Sequence, residues 1–282
     1  MQETNWSEVA KYLEIPENSI ETAFFAKMTN EKLRDTRGKE ELKAQLKALS
    51  DEELASAFVP DVYQKDIYHI DYKRLRENGI KLISFDVDDT IGDTMLDKLK
   101  ANLPMLKFTL PDKAKRLVKS LREMGFQVIL MTNGQEEIGA GAYQQLGADG
   151  YIYRAEKPDT KNFELAMKRY GVNAAQMAHV GNNIRQDIGG GNAAGVTTCL
   201  VRNAGKSEEF GRFLLRMVGR RSKDHYVRKE LKKRKLWFKH HQHFSGDQYY
   251  QLSQMPQYLE GDIKGLALWQ ARRKSVKTVV VD

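Results

Sequence analysis

The stretch LISFDVDDT, residues 82–90, decides how the chain is read. Leu82-Ile83-Ser84-Phe85 is a short apolar run, which predicts a buried strand. Asp86, Asp88 and Asp89 follow at once, three carboxylates within four positions. Like charges about 4 Å apart repel by roughly 4 kcal/mol at an effective dielectric near 20. Either a cation offsets that repulsion or the cluster is a solvated acidic turn, and the stretch alone leaves both readings open.

The neighbouring sequence extends the strand into a pattern. PDKAKRLVKSLREMG reads as a helix with Pro111 at its start, Leu117, Leu121 and Met124 along one face, and Gly125 at its end. FQVILMTN is a second buried strand. QEEIGAGAYQQLG is a helix closed by Gly147, GYIYR a short strand, and DTKNFELAMKRYG a helix ending at Gly171. QMAHVGNN and VTTCLV are two further strands, with the glycine-rich DIGGGNAAG between them. Strands alternating with helices of this length predict an α/β fold, a Rossmann-like doubly wound parallel sheet over residues 56–204. Such sheets bind ligands beyond the carboxyl ends of their strands, near a topological switch point.

Asp86 and Asp88 fall at such a strand end, and two residues apart on a continuing strand they share a face. Oxygen donors converging there suit Mg²⁺, which takes few carboxylates, some water and substrate phosphate. Three later signals favour a site over an acidic turn. Thr132-Asn133 ends a buried strand with a hydroxyl and an amide. Lys157, in AEKPD, lies between two elements. VGNNIRQD ends another strand and carries Asn182 and Asp187. Each signal alone is commonly structural; the series at successive strand ends is what gives it weight.

DVDDT resembles the D-x-D-x-T signature of haloacid-dehalogenase-type phosphatases. Thr132 fits that superfamily's second motif, Lys157 the third, and Gly181 to Asp187 the fourth. The resemblance is closest to subfamily IIIA, the YqeG-like phosphatases and relatives that act on phosphatidylglycerophosphate. PDVY at 60–63, KPDTKNFELAMKRYGV and VGNNIRQDIGGGNAAGV look like blocks of that branch. The likeness spans roughly residues 58–204. It implies Asp86 as a nucleophile forming an aspartyl-phosphate, Asp88 as general acid and then base, and Lys157 as the cation offsetting the carboxylates. It implies phosphate-oxygen contacts from Thr132, with Asn133 and Thr90 beside them. It also implies Mg²⁺ held by Asp86, the Asp88 main-chain carbonyl and a fourth-motif residue, Asn182 or Asp187. The family usually has Asp where this chain has Asn182. An amide oxygen ligates without charge, so the expected metal affinity is weaker, and a weakly active phosphate-binding domain is the alternative.

About twenty residues separate Thr90 from the helix at Pro111, too few for a large cap domain of the kind that superfamily uses. The expected core is therefore capless and its site open, which suits a large or lipid-linked phosphate.

Two additions flank this core. Residues 1–55 read as a helical extension. NWSEVAKYL and SIETAFFAKM have helical spacing, Leu42, Leu46 and Leu49 lie in register, and Ser50 with Glu53 forms a capping box. Residues 205–282 form a basic extension. Its 206–239 segment carries essentially the whole formal net charge of +8, interleaved with Phe210, Phe213, Leu214, Leu215, Trp237 and Phe238. It reads as a basic helix packed by its apolar face, as a helix on an anionic membrane surface, or as a contact for nucleic acid. A phosphatase acting on nucleic-acid ends or another polyanion is thus a further alternative. His240, His241 and His243 lack partner ligands at a recognised metal-site spacing, and VKTVVVD at the end reads as an edge strand. A single cysteine, Cys199 in an apolar strand, excludes an intramolecular disulfide and fits a reducing compartment. No apolar run is long enough for a transmembrane segment and no signal-peptide core is visible. The expected location is cytoplasmic, with peripheral membrane association as the variant.

Overall fold

The computed structural model describes residues 38–92, 110–134, 136–201, 222–234 and 236. Among the described residues six strands build one sheet: β1 Val62–Gln64, β2 Leu82–Phe85, β3 Gln127–Met131, β4 Gly150–Ile152, β5 Met177–Gly181 and β6 Thr197–Val201. Their order is β1-β6-β5-β2-β3-β4, and every pairing is parallel. The helices are α1 Lys39–Ala48, α2 Asp51–Phe58, α3 Tyr72–Glu77, α4 Asp112–Glu123, α5 Glu136–Leu146, α6 Lys161–Tyr170, α7 Gly190–Ala193 and α8 Lys223–Lys233. A π-helical turn, Ile184–Gly189, leads from β5 into α7.

This is the doubly wound parallel sheet expected from the strand–helix alternation. From β2 the chain winds through β3 to β4, then returns to the other side of β2 as β5 and continues to β6. The switch point lies between the ends of β2 and β5, where Asp86 N–H donates to the Val180 carbonyl at 2.8 Å.

The strands alternate in what they bury, as the pleat requires. Ile83, Phe85, Val128, Leu130, Val180 and Cys199 face one core, together with α4's Ala114, Val118 and Leu121. Leu82, Ile129, Met131, Met177 and α6's Phe163 face another. A third cluster lies over β6 and the π turn, where Leu42 and Leu46 of α1, Leu54 and Phe58 of α2 and Val227 and Leu231 of α8 meet Ile184, Ile188 and Leu200. Cys199 is fully buried, and burial pushes its thiol well above the usual range.

Local rules account for most element ends. In α2, Glu53 N–H donates to Ser50 Oγ at 3.1 Å and Ser50 N–H to Glu53 Oε2 at 2.8 Å, completing the expected capping box. Gly125, Gly147 and Gly171 follow α4, α5 and α6 with φ of 86°, 64° and 64°, the left-handed turn that favours glycine. One face differs from expectation. On α4 the buried stripe is Ala114, Val118 and Leu121, while Leu117 is half-buried and Met124 is exposed. Counting back three and seven residues from Leu121 gives this stripe, and the smaller Ala114 and Val118 allow α4 to approach the sheet. β1 and α3 were not anticipated as elements; β1 falls on the PDVY lead-in and α3 on the stretch that follows it.

The helical reading of NWSEVAKYL and SIETAFFAKM, the 93–109 segment that bears on the cap, and Phe210, Phe213, Leu214, Leu215, Trp237 and Phe238 lie outside the described residues. So do His240, His241, His243 and VKTVVVD. Of the basic segment, α8 is described. It packs by Val227 and Leu231, which agrees with the reading of a basic helix seated by its apolar face.

Candidate active site

Asp86 is the first residue beyond β2 and is largely buried. Lys157 Nζ donates to Asp86 Oδ1 at 2.7 Å, to Asp187 Oδ1 at 2.6 Å and to the Met131 carbonyl at 3.0 Å. Its three protons are thus fully used by groups from β2, β3 and the π turn. Thr90 Oγ1 donates to the other Asp86 oxygen, Oδ2, at 3.2 Å. Between them the chain makes a tight loop: Asp89 adopts φ 59°, and Asp89 N–H and Gly92 N–H donate to the Gly92 and Val87 carbonyls. Asp88 stands half-buried at the start of this loop.

Lys157 is aimed by its main chain. Lys157 N–H donates to Asn133 Oδ1 at 2.9 Å and Asn133 Nδ2 donates back to the Lys157 carbonyl at 3.0 Å. The Asn133 amide therefore fastens the Lys157 segment to the end of β3. Next to it, buried Thr132 accepts from Gly134 N–H through Oγ1 at 2.9 Å, which leaves its hydroxyl proton available to an oxygen ligand.

Asp187 reaches back from the π turn. Its Oδ1 accepts from Lys157 and lies 3.2 Å from His179 Nε2, and its Oδ2 accepts from Asn183 N–H at 2.9 Å. The carboxylate sits on Gly181, where a Cβ would come within 2.2 Å of the Asp187 carboxyl carbon. Glycine is therefore required there by close approach. His179, fully buried, is held at its other nitrogen by Ser84 Oγ at 2.8 Å, and the two residues are register partners across β5 and β2. Phe163 packs edge-on against the imidazole, with ring centroids 5.1 Å apart. His179 and Ser84 were not anticipated as part of the site.

The electrostatics follow from this burial. Burial pushes the Asp86 carboxyl up to about 7; Lys157 opposes the rise, and the nearby Asp187 and Asp88 charges add to it. Burial acts on Asp187 in the same direction, but Lys157 and His179 outweigh it and hold that carboxyl well below the usual range. Burial lowers Lys157, and Asp187 and Asp86 more than restore it, so it stays charged. Burial pushes the His179 imidazole below its usual range, against the opposing pull of Asp187. The centre is thus one firmly ionised pair, Lys157 with Asp187, beside a carboxylate short of positive charge.

Asn182, also buried, follows β5, and its main-chain carbonyl accepts from Arg228 Nη2 of α8 at 2.9 Å. Among the described residues no group of three or more His, Cys, Asp and Glu is arranged to hold a metal. The strand ends nevertheless offer oxygen donors: the Asp86 carboxylate, the Asp88 main chain and the Asn182 amide. One or two carboxylates with neutral oxygens is a donor set that suits Mg²⁺ completed by water and phosphate. A cation would also relieve Asp86 of its charge deficit.

A family model described as haloacid dehalogenase-like hydrolase matches residues 99–195. Among curated proteins, the chain is 29% identical over 171 residues to the probable phosphatase YqeG of Bacillus subtilis (strain 168), covering 60% of this chain and 91% of that protein. It is 32% identical over 100 residues to the glyceraldehyde 3-phosphate phosphatase of Methanopyrus kandleri, covering 33% of this chain and 42% of that one. Among solved structures, the cobalt-bound deoxy-D-mannose-octulosonate 8-phosphate phosphatase of Haemophilus influenzae matches with a TM-score of 0.38 and 22% identity, over 50% of this chain and 88% of that chain.

Proposed function

We propose that this chain, which has the haloacid dehalogenase-like hydrolase fold and is a phosphatase-type hydrolase at the level of that family, hydrolyses phosphomonoesters through an aspartyl-phosphate on Asp86. The observation that carries the reading is the position of Asp86. It follows β2 directly at the switch point of the sheet, is buried, and has the Lys157 ammonium at 2.7 Å. A buried carboxylate with a fixed cation beside it is poised to attack a phosphorus whose oxygens share that cation.

In the first half-reaction an Asp86 carboxylate oxygen forms a bond to phosphorus as the ester P–O bond breaks. The leaving oxygen takes its proton from the Asp88 carboxyl. In the second, Asp88 takes a proton from water, the water oxygen bonds to phosphorus, and the Asp86–phosphorus bond breaks to release phosphate. The Lys157 charge offsets the negative charge of the phosphoryl group throughout, and the free hydroxyl proton of Thr132 binds one of its oxygens. Thr90 orients the Asp86 oxygens, and Asn133 fixes the Lys157 main chain. Asp187 acts by holding Lys157. Asp86, the Asp88 carbonyl and Asn182 would hold Mg²⁺, which supplies positive charge against Asp86 and the phosphoryl group when bound.

The substrate reading is a large or lipid-linked phosphate, supported by the short Thr90–Pro111 connection. Asn182 supports a second reading, a phosphate-binding domain of weak activity, because its amide brings no charge to the metal. Among the described residues no helix is long and apolar enough to cross a membrane. A phosphatase screen with and without Mg²⁺ separates these readings. The panel contains small phosphoesters, phosphatidylglycerophosphate and 5′- and 3′-phosphorylated oligonucleotides. Mg²⁺-dependent phosphate release supports hydrolysis, and preference for the phospholipid or the oligonucleotide assigns the class. Tight phosphate binding without turnover of any member favours the second reading.

A further inference from the structure

The loop that carries Asn182 and Asp187 is held from outside the sheet by α8. Its polar main-chain groups are taken one after another. The Asn182 carbonyl accepts from Arg228 Nη2 at 2.9 Å. Asn183 N–H goes to Asp187, and Ile184 N–H and Arg185 N–H both donate to Asp224 Oδ1, at 2.7 and 3.2 Å. Gln186 N–H returns to Asn183 Oδ1 at 2.9 Å. The first amides of a helical turn have no partner within the turn and must find acceptors elsewhere. Here two of them find one carboxylate on a helix some forty residues downstream.

Asp224 is buried, and its second oxygen pairs with Arg228 Nε one turn along α8. Arg228 thus bridges the carboxylate that binds the loop amides and the carbonyl that precedes them. Packing alone does not require this arrangement. Val227, Leu231 and Leu236 already seat α8 against Leu42, Leu46, Phe58, Ile184 and Ile188. Nor is stability a sufficient reason, since apolar side chains often replace buried ion pairs at no loss. What the pair adds is a fixed position for the main chain from 182 to 185. Asp187 leaves this loop to grip Lys157, and Lys157 grips Asp86.

We infer that Asp224 and Arg228 are positioning residues of the active site, and that α8 is a latch setting the Asn182–Asp187 loop, and through it Lys157, against Asp86. The catalytic geometry then depends on a helix from the C-terminal basic addition, outside the stretch that the family model matches. The consequence for turnover rests on the proposed phosphatase reading; the latch itself does not.

Arg234 supplies the control. It lies on the same helix's end and fastens α8 to the end of α1 and the start of α2 through the Leu46 and Leu49 carbonyls and Asp51, with no hydrogen bond to the loop among the described residues. Arg228→Met, Arg228→Lys and Arg234→Met are compared with wild type by hydrogen exchange of the peptide spanning 181–188, by thermal melting, and by kcat and KM on p-nitrophenyl phosphate. Arg228→Met should speed exchange of the loop amides and lower kcat, each by about tenfold or more, with KM changed by less than about threefold, since displaced groups cost the chemical step most. Arg228→Lys should recover part of both. Arg234→Met should lower the melting temperature and leave loop exchange and kcat near wild type. Equal effects of Arg228→Met and Arg234→Met, or an Arg228→Met loop that exchanges as slowly as wild type, would overturn the latch. If wild type hydrolyses no phosphoester, the phosphatase reading fails, while loop exchange still decides the latch.

Discussion

Asp86→Asn should stabilise the protein at alkaline pH while abolishing its chemistry. The folded Asp86 carboxyl takes up its proton at about 7, whereas an unfolded aspartate does so near pH 4. Between those values the folded state binds more protons than the unfolded one, so this residue's contribution to stability is lost as pH rises through that window. Some 3 pKa units at about 1.4 kcal/mol each make the ionised form unfavourable by roughly 4 kcal/mol. Asp86, Lys157 and Asp187 titrate together, and an asparagine at this position still accepts from Lys157, so about 2–4 kcal/mol is recovered. For a chain of this size that is a rise in melting temperature on the order of 5–10 °C. The assay is thermal melting of both proteins in EDTA at pH 8 and pH 5. The variant should melt higher at pH 8, and the difference should shrink to about a third at pH 5, where folded wild-type Asp86 is protonated and the unfolded aspartate is still mostly ionised. Adding Mg²⁺ at pH 8 should stabilise wild type and narrow the gap. Equal melting temperatures at pH 8, or a gap that persists unchanged to pH 5, would refute the argument that Asp86 is short of positive charge.

Lys157→Met should abolish turnover and lower stability to urea by about 3–5 kcal/mol, because Asp86 and Asp187 then face one another without their cation; a variant as stable as wild type would contradict the buried ion-pair account. Gly181→Ala drives a Cβ to within 2.2 Å of the Asp187 carboxyl carbon, so kcat should fall by at least about tenfold even where circular dichroism shows a folded protein; unchanged kcat would mean that the Asp187 position is unimportant. Asn182→Asp should tighten Mg²⁺ binding in calorimetry, and equal or weaker affinity would remove residue 182 from the ligand set.

The strand–helix alternation was legible because its signals are local. Apolar runs such as FQVILM end at residues that close an element, and Gly125, Gly147 and Gly171 mark helix ends through a conformation that glycine adopts readily. The clustering of Asp86, Asn133, Lys157 and Asp187 was legible because a parallel sheet brings successive strand ends together. His179 was not, because a histidine inside an apolar strand reads as core; its role depends on register, which puts Ser84 opposite it from 95 residues away. Asp224 and Arg228 were hidden in a basic run whose charges read as solvated. Only the fold turns that helix so that one carboxylate meets the Ile184 and Arg185 amides. β1 was missed for another reason, since three residues are too few to show alternation and its place is fixed by pairing with β6.

The most direct test of the central claim is to trap the phosphorylated enzyme. Wild type is mixed with p-nitrophenyl phosphate and Mg²⁺, quenched during turnover, reduced with borohydride and digested for tandem mass spectrometry. An acyl phosphate on Asp86 predicts that this residue, in the peptide containing LISFDVDDT, is recovered as homoserine, and that Asp86→Asn yields none. Sustained phosphate release with Asp86 unmodified, or with the modification on another residue, would contradict the account.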